Sequence, residues 1–170
     1  MSRLAKSDPL QGFRFHVKAT DNPQFLEYVD ADIGEAGFQA VTTPEHTSET
    51  VEYREGHYTY TRKFPGVPTM NTLTLSRGVY MLDTSFHDWI KACTEGGEYR
   101  TDLIIYHWHR TGKVPFKAGE LGKGRQYIIH EALPARVKPA ADLDSTSGEV
   151  SLAEIDIDFE YYDMVTPNVE

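Results

Sequence analysis

Cysteine is almost missing from this chain. Cys93 stands alone among 170 residues, which excludes an internal disulfide and fits a reducing compartment. Long apolar runs are missing too: none approaches the roughly 18 residues that a membrane-crossing helix needs. The opening residues MSRLAKSDPLQG contain no apolar segment of a secretory signal, so the expectation is a chain made and folded in cytoplasm. Basic charge is in deficit, with 17 Lys and Arg against 26 Asp and Glu and a net charge of −9. Such a balance does not suit gripping phosphate backbones, which depends on clustered cations. The nucleophile elbow, the phosphate-binding loop, the zinc-protease helix motif and the dinucleotide fingerprint are all absent from the sequence. It offers no enzyme motif, cofactor site or metal site.

What is present is a series of alternating segments. Phe13, Phe15 and Val17 alternate with Arg14, His16 and Lys18, the period of a half-buried strand. A short strand is expected at Gly37–Val41, and TTPEHTSE (42–49) reads as an exposed loop. Val51 and Tyr53 then face one way, with Glu52 and Arg54 opposite. Met70–Arg77 reads as the antiparallel partner, with Leu73 and Leu75 alternating with Thr72, Thr74 and Ser76. Between them the Gly56 turn, the basic Arg62-Lys63 pair and Pro65-Gly66 read as an exposed, charged excursion over Tyr53–Pro65.

One helix is expected at about 84–94. Asp83, Thr84 or Ser85 can cap it, Phe86, Trp89, Ile90 and Cys93 form its apolar face, and Gly96-Gly97 stops it. Tyr99–Arg110 reads as a central strand and Gln126–Leu133 as another. Pro134–Gly148 reads as a loop. Glu149–Tyr162 reads as one closing strand, with Ala153, Ile155, Ile157, Phe159 and Tyr161 on one face. Short strands, one helix and no strand–helix alternation predict a mainly β fold, an antiparallel barrel or sandwich of two packed sheets.

The opposite face of the closing strand carries Glu154, Asp156, Asp158 and Glu160. Carboxylates two apart on a strand lie about 6.5–7 Å from each other. That is loosely compatible with a paired-carboxylate hydrolase, whose groups in the inverting case are roughly 6.5–9.5 Å apart. A hard cation would need about 6–8 converging oxygens, which a flat row does not supply. The favoured reading is a solvated face. His107 and His109, with His130 as a third candidate, have a spacing that zinc can use, but packing or cross-strand hydrogen bonding is the favoured reading. Cys93 on the helix reads as a buried small hydrophobe.

Several segments, in order, resemble one family. They are Phe13–Val17, Gly37-Phe38-Gln39-Ala40-Val41, ETVEYREG (49–56), RKFPG (62–66), LTLSRGV (73–79) followed by Trp89, and then ALP (132–134), DLDSTSGEV (142–150) and the closing strand. Together they resemble the tail-tube proteins of contractile phage tails and related injection systems, the tube and Hcp-like superfamily. The resemblance implies one tail-tube domain over 1–170; the loops at about 20–48 and 111–125 depart from it in being longer than the family's own, and could decorate the outer wall, meet a sheath or mark a specialised ring. It implies hexameric rings that stack into a hollow tube in the virion tail, passing DNA or effectors without binding them. The implied partners are other copies of the chain, the sheath, the baseplate and the tail terminator. A tube-initiator or baseplate ring, or a type VI-like secreted ring, is the alternative within assembly. In this setting Tyr53, Arg54, Glu55, Arg62, Lys63 and Phe64 are the expected contacts between subunits or rings, and the row Glu154, Asp156, Asp158 and Glu160, repeated around the ring, would make a negatively charged wall, lumenal or external, past which DNA could slide.

Overall fold

The computed structural model describes residues 10, 12–20, 37–81, 83–108, 124–144, 146 and 148–166. The expected connections around 21–36 and 109–123, with His109, lie outside the described residues. Among the described residues, nine strands and one helix follow one another: β1 (Phe15–Thr20), β2 (Phe38–Val41), β3 (His46–Tyr53), β4 (Arg62–Met70), β5 (Leu73–Gly78), α1 (Ser85–Glu95), β6 (Thr101–Trp108), β7 (Gly124–Lys138), β8 (Leu152–Asp158) and β9 (Tyr161–Val165). All pairings are antiparallel.

The long strand β7 organises the architecture. Its first half pairs with β6 on one side and β9 on the other, and its second half pairs with β8. The order β1-β6-β7-β8-β5-β2, with β9 beside β7, is therefore one hydrogen-bonded path folded into two layers. The fold lies at Glu131, whose φ of 56° is the one positive value at a non-glycine among the described residues. Its N–H donates to Asp102 Oδ1 at 3.0 Å, and the β6–β7 register shifts there. A bulge of this kind bends a strand and sharpens its twist. Opposite it, the chain bends at Phe159–Glu160, so the expected single closing strand is two, β8 and β9. Tyr161 accordingly leaves the apolar face and is half exposed. The sandwich reading of the fold holds; the sheets do not close into a barrel.

The inward-facing residues alternate as period 2 demands: Val17 and Ala19, Leu73 and Leu75, Leu103 and Ile105, then Ala153, Ile155 and Ile157, all buried. Helix α1 packs on β7 and adds Phe86 and Trp89 to the same core. Trp89 Nε1–H donates to the Tyr99 carbonyl at 2.6 Å, so burying its ring leaves no polar atom stranded. The helix begins with Asp83 Oδ1 accepting the Ser85 N–H at 3.1 Å, and ends on Gly96 in the left-handed conformation at φ 77°.

Two further expectations change. Residues 46–49, expected in a loop, belong to β3, and 134–138, also expected in a loop, belong to β7. Pro134 and the alanines around it suggested a break, yet Pro134 stands opposite Ile157 at a register irregularity, where a missing N–H is tolerated.

Candidate assembly surface

Strands β3 and β4 form a two-stranded sheet of their own. Their register pairs Val51 with Phe64, Glu52 with Lys63 and Tyr53 with Arg62. This corrects the expectation that the strand around Val51 pairs with Met70–Arg77. Strand β5 pairs instead with β2 and β8 inside the sandwich; residues 54–61 of the expected excursion do form an exposed turn, but its last part, from Arg62 on, is strand β4. Pro65-Gly66 is the reason for the misreading, since that dipeptide ordinarily marks a turn. Here Pro65 and Pro68 sit on a strand with an open side, where no ladder donor is needed. Gly66 lies across from a bulge at Ser48–Thr50, where a Cβ would approach the Glu49 carbonyl oxygen to 2.9 Å.

Opposed residues share a face, so this hairpin is amphipathic. One face carries Val51, Tyr53, Phe64 and Arg62. The other carries Glu52 and Lys63, whose charged ends are 3.5 Å apart. The apolar face is uncovered: Val51 is 56% exposed, Tyr53 54% and Phe64 48%. Toward the tip, the Arg62 guanidinium lies 4.5 Å from the centre of the Tyr58 ring and 3.9 Å from Glu55 Oε1. Glu55 is half-buried by these neighbours, while Arg54 is exposed. Of the six expected contact residues, Tyr53, Phe64 and Arg62 thus share the apolar face, and Lys63 points the other way. The pairing of Val51 with Phe64 was not legible beforehand, because it depends on a register that runs through the Pro-Gly step.

The acidic row also resolves into parts. Glu154, Asp156 and Asp158 project from β8 opposite its buried residues, whereas Glu160 lies past the bend. Arg136 on β7 meets Asp156 Oδ2 at 2.5 Å and Glu154 Oε2 at 3.5 Å. Thr74 donates to Asp156 at 2.9 Å and Thr72 to Asp158 at 2.7 Å. Glu160 forms a short contact with Arg100, which also reaches Glu131 at 3.3 Å. Arg136 holds the Asp156 carboxyl below its ordinary value against a smaller opposing effect of partial burial, and Thr74 assists. A hydrolase of the paired-carboxylate kind needs one carboxyl raised toward neutrality, and Asp156 is shifted the opposite way. The row is a laced sheet face of alternating acceptors and donors.

His130 sits at the corner beside Glu131. Its Nδ1 is 3.0 Å from Asp102 Oδ2 and its Nε2 is 3.3 Å from Asp163 Oδ2. The ring stacks on Tyr161 at 4.5 Å. It thereby braces β6, β7 and β9 together. His107 takes no part in this cluster, and among the described residues no group of three His, Cys, Asp or Glu is arranged to hold a metal ion. Cys93 is half-buried on α1, and burial pushes its thiol up.

A two-layer sandwich whose hairpin is left uncovered by its own chain, and whose Arg77, Arg100 and Arg136 are taken up in ion pairs within the fold, belongs to the class of proteins that work by assembly. The family is specific: residues 11–163 match the model of the T4-like virus tail tube protein gp19, and the chain belongs to that family. It is a structural tail tube protein and not an enzyme. No curated protein matches it in sequence. Among solved structures, a chain of the sheath–tube complex of the extracellular contractile injection system PVC, in its extended state, is similar at TM-score 0.75 and 22% identity, over 96% of this chain and 95% of that one. A chain of the anti-feeding prophage tube-terminating cap gives 0.73 and 21%, over 98% and 97%. A chain of the anti-feeding prophage baseplate gives 0.71 and 20%, over 96% and 99%. These likenesses show a common fold.

Proposed function

We propose that the chain is the repeating subunit of the inner tube of a contractile tail or injection particle. As one tail-tube domain, six copies close into a ring, and rings stack into a hollow conduit through which DNA or an effector passes on contraction. Sheath, baseplate and terminator are its partners, and assembly takes place in the cytoplasm of a bacterial host. The observation that carries this reading is the amphipathic hairpin. An isolated two-stranded hairpin is marginal in water, and an uncovered apolar face on it gains stability only when another surface covers it. The ring number draws support from the anti-feeding prophage baseplate, which holds a chain of this fold and was reconstructed with six-fold symmetry.

That same likeness favours a second reading, a tube-initiating ring at the baseplate. Negative-stain microscopy of the concentrated protein separates the two. A repeating subunit gives hollow rods of indefinite length, and an initiator gives single rings. A chain that stays a 19.3 kDa monomer at every concentration would refute both.

A further inference from the structure

His130 stands where the register brings three strands together. Asp102 lies on β6 at the register shift opposite it. Tyr161 is its direct partner on β9, and Asp163 follows two residues along the same strand. The histidine side chain is only 20% exposed, with Nδ1 at 3.0 Å from Asp102 Oδ2 and Nε2 at 3.3 Å from Asp163 Oδ2. The ring is therefore held between two carboxylates that belong to different strands.

Proton counting shows what such a seat requires. A neutral imidazole has one N–H and one lone pair, and an ionised carboxylate can only accept. Both contacts are hydrogen bonds only when the ring carries two protons. With one proton fewer, a lone pair faces a carboxylate.

The neighbours decide which contact gives way. Asp102 Oδ1 accepts the Glu131 N–H at 3.0 Å, which fixes that carboxylate against Nδ1. Asp163 is 66% exposed and free to turn toward water. The network thus assigns the retained proton to Nδ1 and makes Nε2 the nitrogen that loses its own. The remaining charges at the corner are engaged with one another: Arg100 bridges Glu131 and Glu160. Tyr161 offers His130 the face of its ring at 4.5 Å.

We infer that His130 is a proton-operated clamp beside the bend that joins the two layers. Doubly protonated, it ties both β6 and β9 to β7. Histidines ordinarily change charge between about pH 5 and 8, and carboxylates ordinarily keep their charge throughout that range. As pH rises through it, the tie to Asp163 is lost and the tie to Asp102 stays. The contribution of the clamp to stability is complete on the acid side of the range and gone on the alkaline side. The subunit is held tightest in mildly acidic surroundings, a property of the single chain that does not rest on the tube reading.

Urea unfolding of the dilute full chain, followed by circular dichroism at about pH 5.5 and about pH 8, tests this with two variants. His130→Gln keeps a donor and an acceptor but cannot take up a proton. Against this variant, the parent should be favoured at the lower pH by about threefold in the unfolding equilibrium constant, the size expected of a partly exposed ion pair. That advantage should vanish at the higher pH. Taking the difference between the two proteins cancels the titration of the other histidines. Asp163→Asn can turn either its N–H or its oxygen toward Nε2, so it meets the ring in both states and should abolish the same threefold dependence. Parallel pH profiles for the parent and His130→Gln overturn the inference. So does an Asp163→Asn chain that keeps the parental dependence on pH. If His130→Gln does not fold, Asp163→Asn, altered at an exposed position, decides alone.

Discussion

Arg77 shows how a single side chain can be both anchor and liability. It is 3% exposed, its Nη2 lies 2.6 Å from Asp83 Oδ2 and contacts Ser85 Oγ, and its guanidinium covers the Phe86 ring at 3.9 Å. Burial draws the guanidinium below its ordinary value, and Asp83 opposes that. Arg77 thus ties the end of β5 to the start of α1. Arg77→Met keeps the apolar stem over Phe86 but leaves the Asp83 carboxylate without its cation, so it should destabilise the fold by about 3 kcal/mol in urea titration. Adding Asp83→Asn should recover part of that loss, because the stranded charge is removed as well.

Asp156 makes a prediction about acid. Its carboxyl titrates lower in the folded protein than in the unfolded chain, chiefly because of Arg136. Its contribution is therefore complete above the unfolded value of about 3.9 and is lost as pH falls through the lower folded value. Arg136→Ala removes the main cause. The acid-unfolding midpoint, followed by circular dichroism, should move to higher pH, and stability at pH 7 should fall.

At the scale of elements, the hairpin has a stability separate from that of the sandwich. It forms its own two-stranded sheet, and of its side chains only Met70, at its base, packs against the buried core. Replacing residues 47–69 with a short Gly-Ser link should leave the melting temperature within about 3 °C of the parent, while rods fail to form in negative stain. Hydrogen exchange should show β3 and β4 amides exchanging quickly in the unassembled chain and becoming protected after assembly. Retention of rods by the truncated chain would remove the hairpin from the interface.

Elements whose burial is strictly alternating were legible in the sequence. The periods of Leu73–Leu75, Ala153–Ile157 and the Phe86–Trp89 face named their strands and helix correctly, because one-sided burial writes itself into residue order. The hairpin was misread for the converse reason. Neither of its faces is buried by its own chain, so no burial pattern tells strand from loop, and Pro65-Gly66 looked like a turn. The split of β8 from β9 escaped because its cause, the bulge at Glu131, lies on another strand. Tyr53, Arg62 and Phe64 were found together as candidates. That Arg62 and Lys63 face opposite ways follows only from the register.

For the whole molecule, charge decides what the protein can and cannot hold. With a net charge of −9, and with Arg100 and Arg136 both engaged by carboxylates of the same chain, the protein has little to offer a phosphate backbone. A gel-shift titration with short duplex DNA at about 0.15 M salt should show no retardation at protein concentrations up to about 100 μM, the weak end of ordinary non-specific affinity. Retardation in that range would mean that cations in the tube hold DNA and do not merely let it pass.

The bend in β7 has a consequence for how the subunit fails. Because the strand on either side of Glu131 belongs to different layers, the layers have no seam along which they can part while the chain stays paired. Loss of either sheet removes half of the ladder that the other depends on. Melting of the sandwich, apart from the hairpin, should therefore be all-or-none, with calorimetric and van't Hoff enthalpies in agreement. A particle built from such parts has subunits that are either whole or lost, with no half-open state to present raw strand edges to their neighbours.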